Sequence, residues 1–225
     1  MSAQRSPTAI LLRALPWLAA LLIVRVTLAV VWQYRDYFPP NFEAFFLQGR
    51  ESYFFGIYQY AFYPHLVAGP CTLLAGLALL SDRLRVRYPA GHRRLGRVQA
   101  LLVLFGVAPS GLIMAWRAQA GPVAALGFAF LALVTALCVA MGWRLAVARQ
   151  FAAHRRWMWR CYLLLCSTVL LRLMAGLHSI LDVDAPWIDQ VVPWGSWLLP
   201  LAAYELYSAR PRWAKGGVRN YREAV

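Results

Sequence analysis

The 225 residues are 61% hydrophobic and only 14% charged, with a formal net charge of +14. Soluble domains carry about 25% charged residues, so this composition excludes an ordinary water-soluble enzyme. The positive charge does not imply nucleic acid, because the arginines gather in alternate loops between apolar runs.

A helix needs about 20 mainly apolar residues to cross the hydrocarbon core, and lipid offers an unpaired backbone no partner. Six runs meet that requirement, at approximately 9–32, 57–80, 98–116, 122–143, 158–181 and 190–208. The chain is therefore expected to be all-α. A polytopic bundle of six transmembrane helices would make residues 1–225 a single membrane-embedded domain.

The first run follows Arg5 and Arg13, contains Arg25, and is followed by no small-residue cleavage site, so it reads as an uncleaved helix. Pro39 and Pro40 end it. Residues 34–63 then hold thirteen aromatics in thirty positions. Within them "NFEAFFLQG" (41–49) is expected to form a short helix in the interface. The aromatics read either as headgroup anchors or as a lid over an outward pocket.

The second run contains His65 directly after Pro64. Proline lacks an amide and clashes with the carbonyl four residues back, here that of Tyr60. The face of His65 continues through Ala68, Gly69, Thr72 and Gly76, all small. Small residues mean room for a flat cofactor or close helix packing, and both readings stand. Histidines inside a membrane are uncommon and point to function.

The third run follows "AGHRRLGRV", with His92, Arg93 and Arg94. The fifth follows "AAHRRWMWR", with His154, Arg155, Arg156 and Arg160. These arginines, with Trp157 and Trp159, anchor a helix end at headgroup level. Deeper in the fifth run lies Arg172, about 21 Å from the inner end at 1.5 Å per residue. A lone arginine there costs at least about 2–3 kcal/mol unless paired or wetted. Its expected partners are Asp182 and Asp184, or the acid group of a ligand. His178 lies near the outer end of the same run. In the sixth run Glu205 is expected to pair with Arg156 or Arg160. The four cysteines all fall in apolar runs and read as small buried hydrophobes.

Loop charge sets the orientation. Residues 82–97 carry six arginines and one aspartate, residues 144–160 five arginines and no acid, and the C-terminal tail is basic. Residues 181–190 carry three aspartates and no base. Excess arginine stays cytoplasmic, so both termini and the two arginine-rich loops are expected inside, in a multi-pass protein of the inner (cytoplasmic) membrane. His65, His178, Arg25 and Arg172 then share the outer side. His92 and His154 share the inner side.

Four stretches carry a resemblance: "HLVAGP" (65–70), "LRVRYPAGHRRLGRV" (84–98), "GPVAALGF" (121–128) and "HRRWMWRCYLLLCSTVLLRL" (154–173). Together, over roughly residues 60–175, they resemble a bacterial family of predicted membrane proteins catalogued as domain of unknown function 2306. The family usually has a Gln-Phe pair after Gly69-Pro70, where this chain has Cys71-Thr72-Leu73-Leu74. The resemblance implies a multi-helix membrane protein, singles out His65, His92, His154 and Arg172, and brings no activity.

Histidines at two levels on different helices also resemble the pattern of two-haem b-type membrane cytochromes. That likeness implies haem b, another redox ligand or a metal between His65 and His178, with Arg172 and Arg25 beside it. His154 and His178 are 24 residues apart, roughly 36 Å along one helix, more than the ~30 Å hydrocarbon core. The inner group (His92, Arg93, Arg94, His154, Arg155, Arg156) therefore reads as an anion or headgroup site. The alternative is a non-enzymatic carrier or accessory subunit that binds a lipid or a small organic anion. No nucleophile–base set, phosphate loop or HExxH is present, so hydrolytic and transferase chemistry have no motif, while a redox role stays open. The implied partner is the lipid bilayer, and no residue pattern specifies a protein partner.

Overall fold

The computed structural model describes residues 7–181 and 185–209. Among the described residues every named element is helical and there is no strand. Helix α1 (Pro7–Trp32) passes through a 3-10 turn, Gln33–Asp36, into the aromatic segment. After the single turn α2 (Glu51–Tyr53), a π-helical stretch, Phe54–Tyr58, leads into α3 (Gln59–Leu79). The short α4 (Asp82–Arg87) precedes α5 (Pro89–Leu101), which continues through the π-helical Leu102–Val107 into α6 (Ala108–Ala115). Then come α7 (Pro122–Val147), α8 (Phe151–Leu165), α9 (Ser167–Leu181) and α10 (Pro186–Ala209).

The prolines explain several features. Pro70 lies inside α3 and removes the amide that would bond the Leu66 carbonyl. That carbonyl instead accepts the Tyr34 hydroxyl of the turn after α1, at 2.5 Å. The wide turn Leu102–Val107 comes just before Pro109, which likewise leaves a carbonyl unbonded one turn back. Gly121 starts α7 at φ +91°, a conformation that L side chains rarely adopt.

Five segments are long and apolar enough to cross a membrane: Ala14–Asp36, Glu51–Leu79, Pro89–Ala115, Pro122–Val147 and Phe151–His178. The first five sequence runs overlap these segments, with starts displaced by up to nine residues. Helix α10 has the length, with 24 residues, but Pro193, Pro200 and Glu205 lower its apolar content, and it is not among the five.

Two further expectations need amending. "NFEAFFLQG" forms turns and no helix. The Asn41 carboxamide oxygen accepts the Glu43 amide at 2.9 Å, a local bond that competes with a helical start. The fifth run is interrupted at Cys166, just before Ser167 and Thr168, so His154 and His178 lie on two helices, α8 and α9.

The bundle is built around α7, which packs on α6, α8 and α10, while α3 packs on α5, α6 and α8. Val103, Val139, Cys161 and Leu164 fill its centre. At Gly76 an added Cβ would come within 2.6 Å of the Tyr162 ring, so glycine is what lets α3 and α8 approach. A second cluster, Tyr37, Leu47, Phe54, Tyr58 and Phe62, forms the core of the aromatic segment at one end of the bundle.

Candidate functional site

A cavity of about 450 Å³ runs under the aromatic segment and between the helices. Six helices contribute a face at helical spacing: Val26, Thr27 and Val30 from α1; His65, Leu66, Gly69 and Leu73 from α3; Ala108 and Gly111 from α6. Phe128, Leu131, Ala132 and Thr135 come from α7, Leu164 and Leu165 from α8, and Thr168, Leu171 and Arg172 from α9. The aromatic segment adds Tyr34, Tyr37, Phe46, Arg50 and Tyr58. A second groove, of about 920 Å³, lies around Glu51–Tyr58 and Leu112–Arg117 and includes no histidine.

Three arginines line the cavity: Arg117, whose guanidinium lies 5.0 Å from the centre of the Tyr53 ring, and the pair Arg50 and Arg172. Arg50 is only 7% exposed. Its Nε donates to the Tyr58 hydroxyl at 3.1 Å, Nη1 donates to the Phe46 carbonyl, and the guanidinium lies 4.5 Å from the centre of the Phe46 ring. Arg172 comes from α9, and its Nη1 donates to Thr168 Oγ1 at 2.9 Å, one turn back on the same face. Among the described residues neither guanidinium has a carboxylate within ion-pair distance. Both act electrostatically on Tyr37, which lies outside the membrane-spanning segments. Burial pushes the Tyr37 phenol above its ordinary range and outweighs the opposing pull of the arginines, so the ring stays a neutral donor.

His65 lines the same space, and its Nδ1 lies 2.9 Å from Ser110 Oγ. That hydroxyl also meets the Gly106 carbonyl at 2.5 Å and the Val107 carbonyl at 3.2 Å. Carbonyls only accept, so the hydroxyl proton goes to one of them and Ser110 accepts from His65 Nδ1–H. This leaves Nε2 as the ring's remaining polar atom.

His65 and Arg172 are thus brought to one cavity. The lining includes neither His178 nor Arg25. The reason for His178 is angular: six residues along α9 turn it about 120° away from Arg172. Arg25 is exposed and precedes the cavity-facing Val26 and Thr27. Asp182 and Asp184, expected partners of Arg172, lie outside the described residues, as does the basic tail from 210 onward. Arg50 was not foreseen. Its only sequence signal is a cation inside an aromatic run, next to Glu51.

At the other end of the bundle three arginines are paired with carboxylates. Arg155 from α8 meets Asp82 of α4 at 2.6 Å, and Arg85 meets the same carboxylate at 2.9 Å. Arg160 grips Glu205 of α10 with two bonds, at 2.5 and 3.0 Å, the ion pair expected for Glu205. His154 Nδ1 bonds the Gly142 carbonyl at 2.8 Å, and His154 lies close enough to His92 to act on its charge. Arg93, Arg94 and Arg156 show no carboxylate partner among the described residues. Groups of three or more His, Cys, Asp or Glu able to hold a metal are absent from the described residues.

Residues 62–208, well over half of the chain, match a family described as a predicted membrane protein (DUF2306). The chain belongs to that family. The match reaches beyond the resemblance read from the four stretches and takes in most of α10. His65 and Arg172 fall inside it, whereas α1, Tyr37 and Arg50 precede it. No curated protein and no solved structure matches the chain. The apolar helices require a lipid bilayer around this family member.

Proposed function

We propose that the protein is a membrane carrier or binding subunit that takes an organic anion in the cavity beneath the aromatic segment. One observation carries the reading: three guanidiniums, Arg50, Arg117 and Arg172, line one cavity, and no described carboxylate lies within ion-pair distance of them. Arg50 is buried and Arg172 exposed, and cations with open donors favour a ligand that brings negative charge. The Tyr37 phenol adds a neutral donor to the same space, and most of the remaining lining is apolar, as in small-molecule sites.

The haem b and metal reading is the weaker of the two. The lining supplies one histidine, His65, whose Nδ1 is already committed to Ser110, and a two-histidine iron site needs a second ring. The proposal includes orientation: six crossings, with α10 as the sixth, both termini cytoplasmic in the inner membrane and the aromatic end outside. Loop charge supports this. A reporter fused after Phe45 then scores outside and one fused after Ala90 inside.

Calorimetric titration of the purified protein with carboxylates and phosphates of increasing size tests the function. We expect one saturable site, weakened about tenfold or more by Arg172→Met, as for loss of a charge-assisted hydrogen bond. Binding indifferent to Arg172→Met overturns the anion reading. A Soret band in the absorption spectrum that is lost in His65→Ala reinstates haem.

A further inference from the structure

We propose that the ligand is a single-chain acidic amphiphile that reaches the cavity from the lipid phase, past α1. This rests on the anion reading and narrows its ligand class. Three observations carry it.

The first is shape. Arg50 and Gln119 border the cavity in the segments that precede α3 and α7. At the far end, Leu73 follows the start of α3 by 14 residues and Thr135 follows the start of α7 by 13. At 1.5 Å per residue both lie about 20 Å along their helices. A volume of about 450 Å³ spread over that length makes a narrow slot and no rounded chamber.

The second is a chemical gradient. Arg50, Arg117 and Tyr37 line the slot at the aromatic end, and Arg172 is close enough to act on Tyr37. Leu73, Leu131 and Leu164 line the other. The polar side chain among them, Thr135, already gives its hydroxyl to the Leu131 carbonyl at 2.6 Å. A compact anion would satisfy the arginines and leave the apolar half unfilled. A hydrocarbon chain carrying an acid head fills both halves, and burying it against leucines is favourable.

The third is the wall formed by α1. This helix contacts the rest of the bundle through α3 and α9 only, among the described residues. Of its apolar stretch 6% is buried, against 28% to 33% in the other four spans. Its cavity face ends at Tyr34, whose hydroxyl rests on the Leu66 carbonyl that Pro70 leaves open. A wall with so little packing and this one polar latch is the side of the cavity that can part to admit a molecule already dissolved in lipid.

The test uses the full chain in phosphatidylcholine nanodiscs, with empty discs as the blank. Dodecyl phosphate is the amphiphile, and inorganic phosphate is the same head without a chain. Dodecyl phosphate should bind saturably, at least about tenfold tighter than inorganic phosphate, with Arg172→Met reducing its affinity about tenfold or more. Gly69→Leu probes the slot, because a Cβ at Gly69 meets nothing within 4 Å and the larger side chain grows into open space. It should weaken dodecyl phosphate and spare inorganic phosphate. Tyr34→Phe should speed association of dodecyl phosphate. Equal, Arg172-dependent affinity for both phosphates overturns the amphiphile and leaves the anion reading standing. Binding of neither defeats both. Dodecyl phosphate binding untouched by Gly69→Leu overturns the slot, and an unchanged association rate in Tyr34→Phe overturns access past α1.

Discussion

The two ends of the bundle use arginine in opposite ways. At the end that holds α4 and the start of α8, Arg155 and Arg160 each find a carboxylate on another helix. At the aromatic end, Arg50 and Arg172 find a phenol, carbonyls and a threonine hydroxyl, and both face a cavity. A guanidinium with a carboxylate partner fastens two helices together. A guanidinium held by neutral groups keeps its net charge for something else. The comparison teaches that charge density does not mark the cavity: at the arginine-rich end Arg155 and Arg160 tie helices together, while the sparse arginines of the other end line the cavity.

The largest effect expected at the aromatic end concerns packing. Phe62 is 1% exposed and meets the rings of Tyr37, Phe46, Phe54, Tyr58 and Tyr63. Phe62→Ala should cost about 3–5 kcal/mol, the range for emptying a buried aromatic site. Phe45, 93% exposed in the same segment, should tolerate alanine with little change. Thermal unfolding in detergent separates the two variants. Equal losses would mean that the aromatic segment is not a packed unit and that the cavity lacks a fixed roof.

At the other end the contrast predicts an intermediate loss. Arg160→Met strands Glu205, which reaches it from α10. The side chains are 23% and 44% exposed, between the buried and surface cases, so the cost should be about 1–2 kcal/mol. The double variant Arg160→Met/Glu205→Leu should recover most of it, because an apolar pair leaves no charge unpaired. A double variant as unstable as the single one would show that the Arg160 contacts with the Trp157 and Tyr204 rings, and not the ion pair, fasten α10.

The helices were legible because hydropathy over about 20 residues decides what lipid accepts. Runs read at 57–80 and 122–143 return as α3, with its lead-in, and α7. The break at Cys166 was not legible, since hydroxyl residues such as Ser167 and Thr168 also sit inside unbroken helices, as Thr72 and Thr135 do. Of the site, His65 and Arg172 were legible because a polar group in an apolar run stands out. Arg50 was not. It sits in a charge-balanced loop beside Glu51, and only the fold shows that it is buried while Glu51 is exposed. The grouping of His65 with His178 rested on depth along the helices. Depth says nothing about rotation around a helix, and rotation keeps His178 from the lining.

The smallest expected effect on stability is the sharpest test of the comparison. Arg172 bonds Thr168 on its own helix, so removing it breaks no tie between helices. It also removes a cation from a costly position, where a membrane charges at least about 2–3 kcal/mol for an arginine left unpaired. The losses and gains of Arg172→Met are therefore expected to cancel to within about 0.5 kcal/mol, or to leave the ligand-free protein slightly more stable. The same variant should lose anion binding. Methionine matches much of the arginine stem, so lost packing contributes little to the difference. Stability unchanged with binding lost places Arg172 in the site class, opposite Arg160. If Arg172→Met destabilises the protein as much as Arg160→Met does, and an acid-to-amide change at Asp182 or Asp184 gives the same loss, then Arg172 is a paired scaffold arginine too. The two ends would then differ in residue type alone, and Arg50 and Arg117 would be the cavity arginines left to hold an anion.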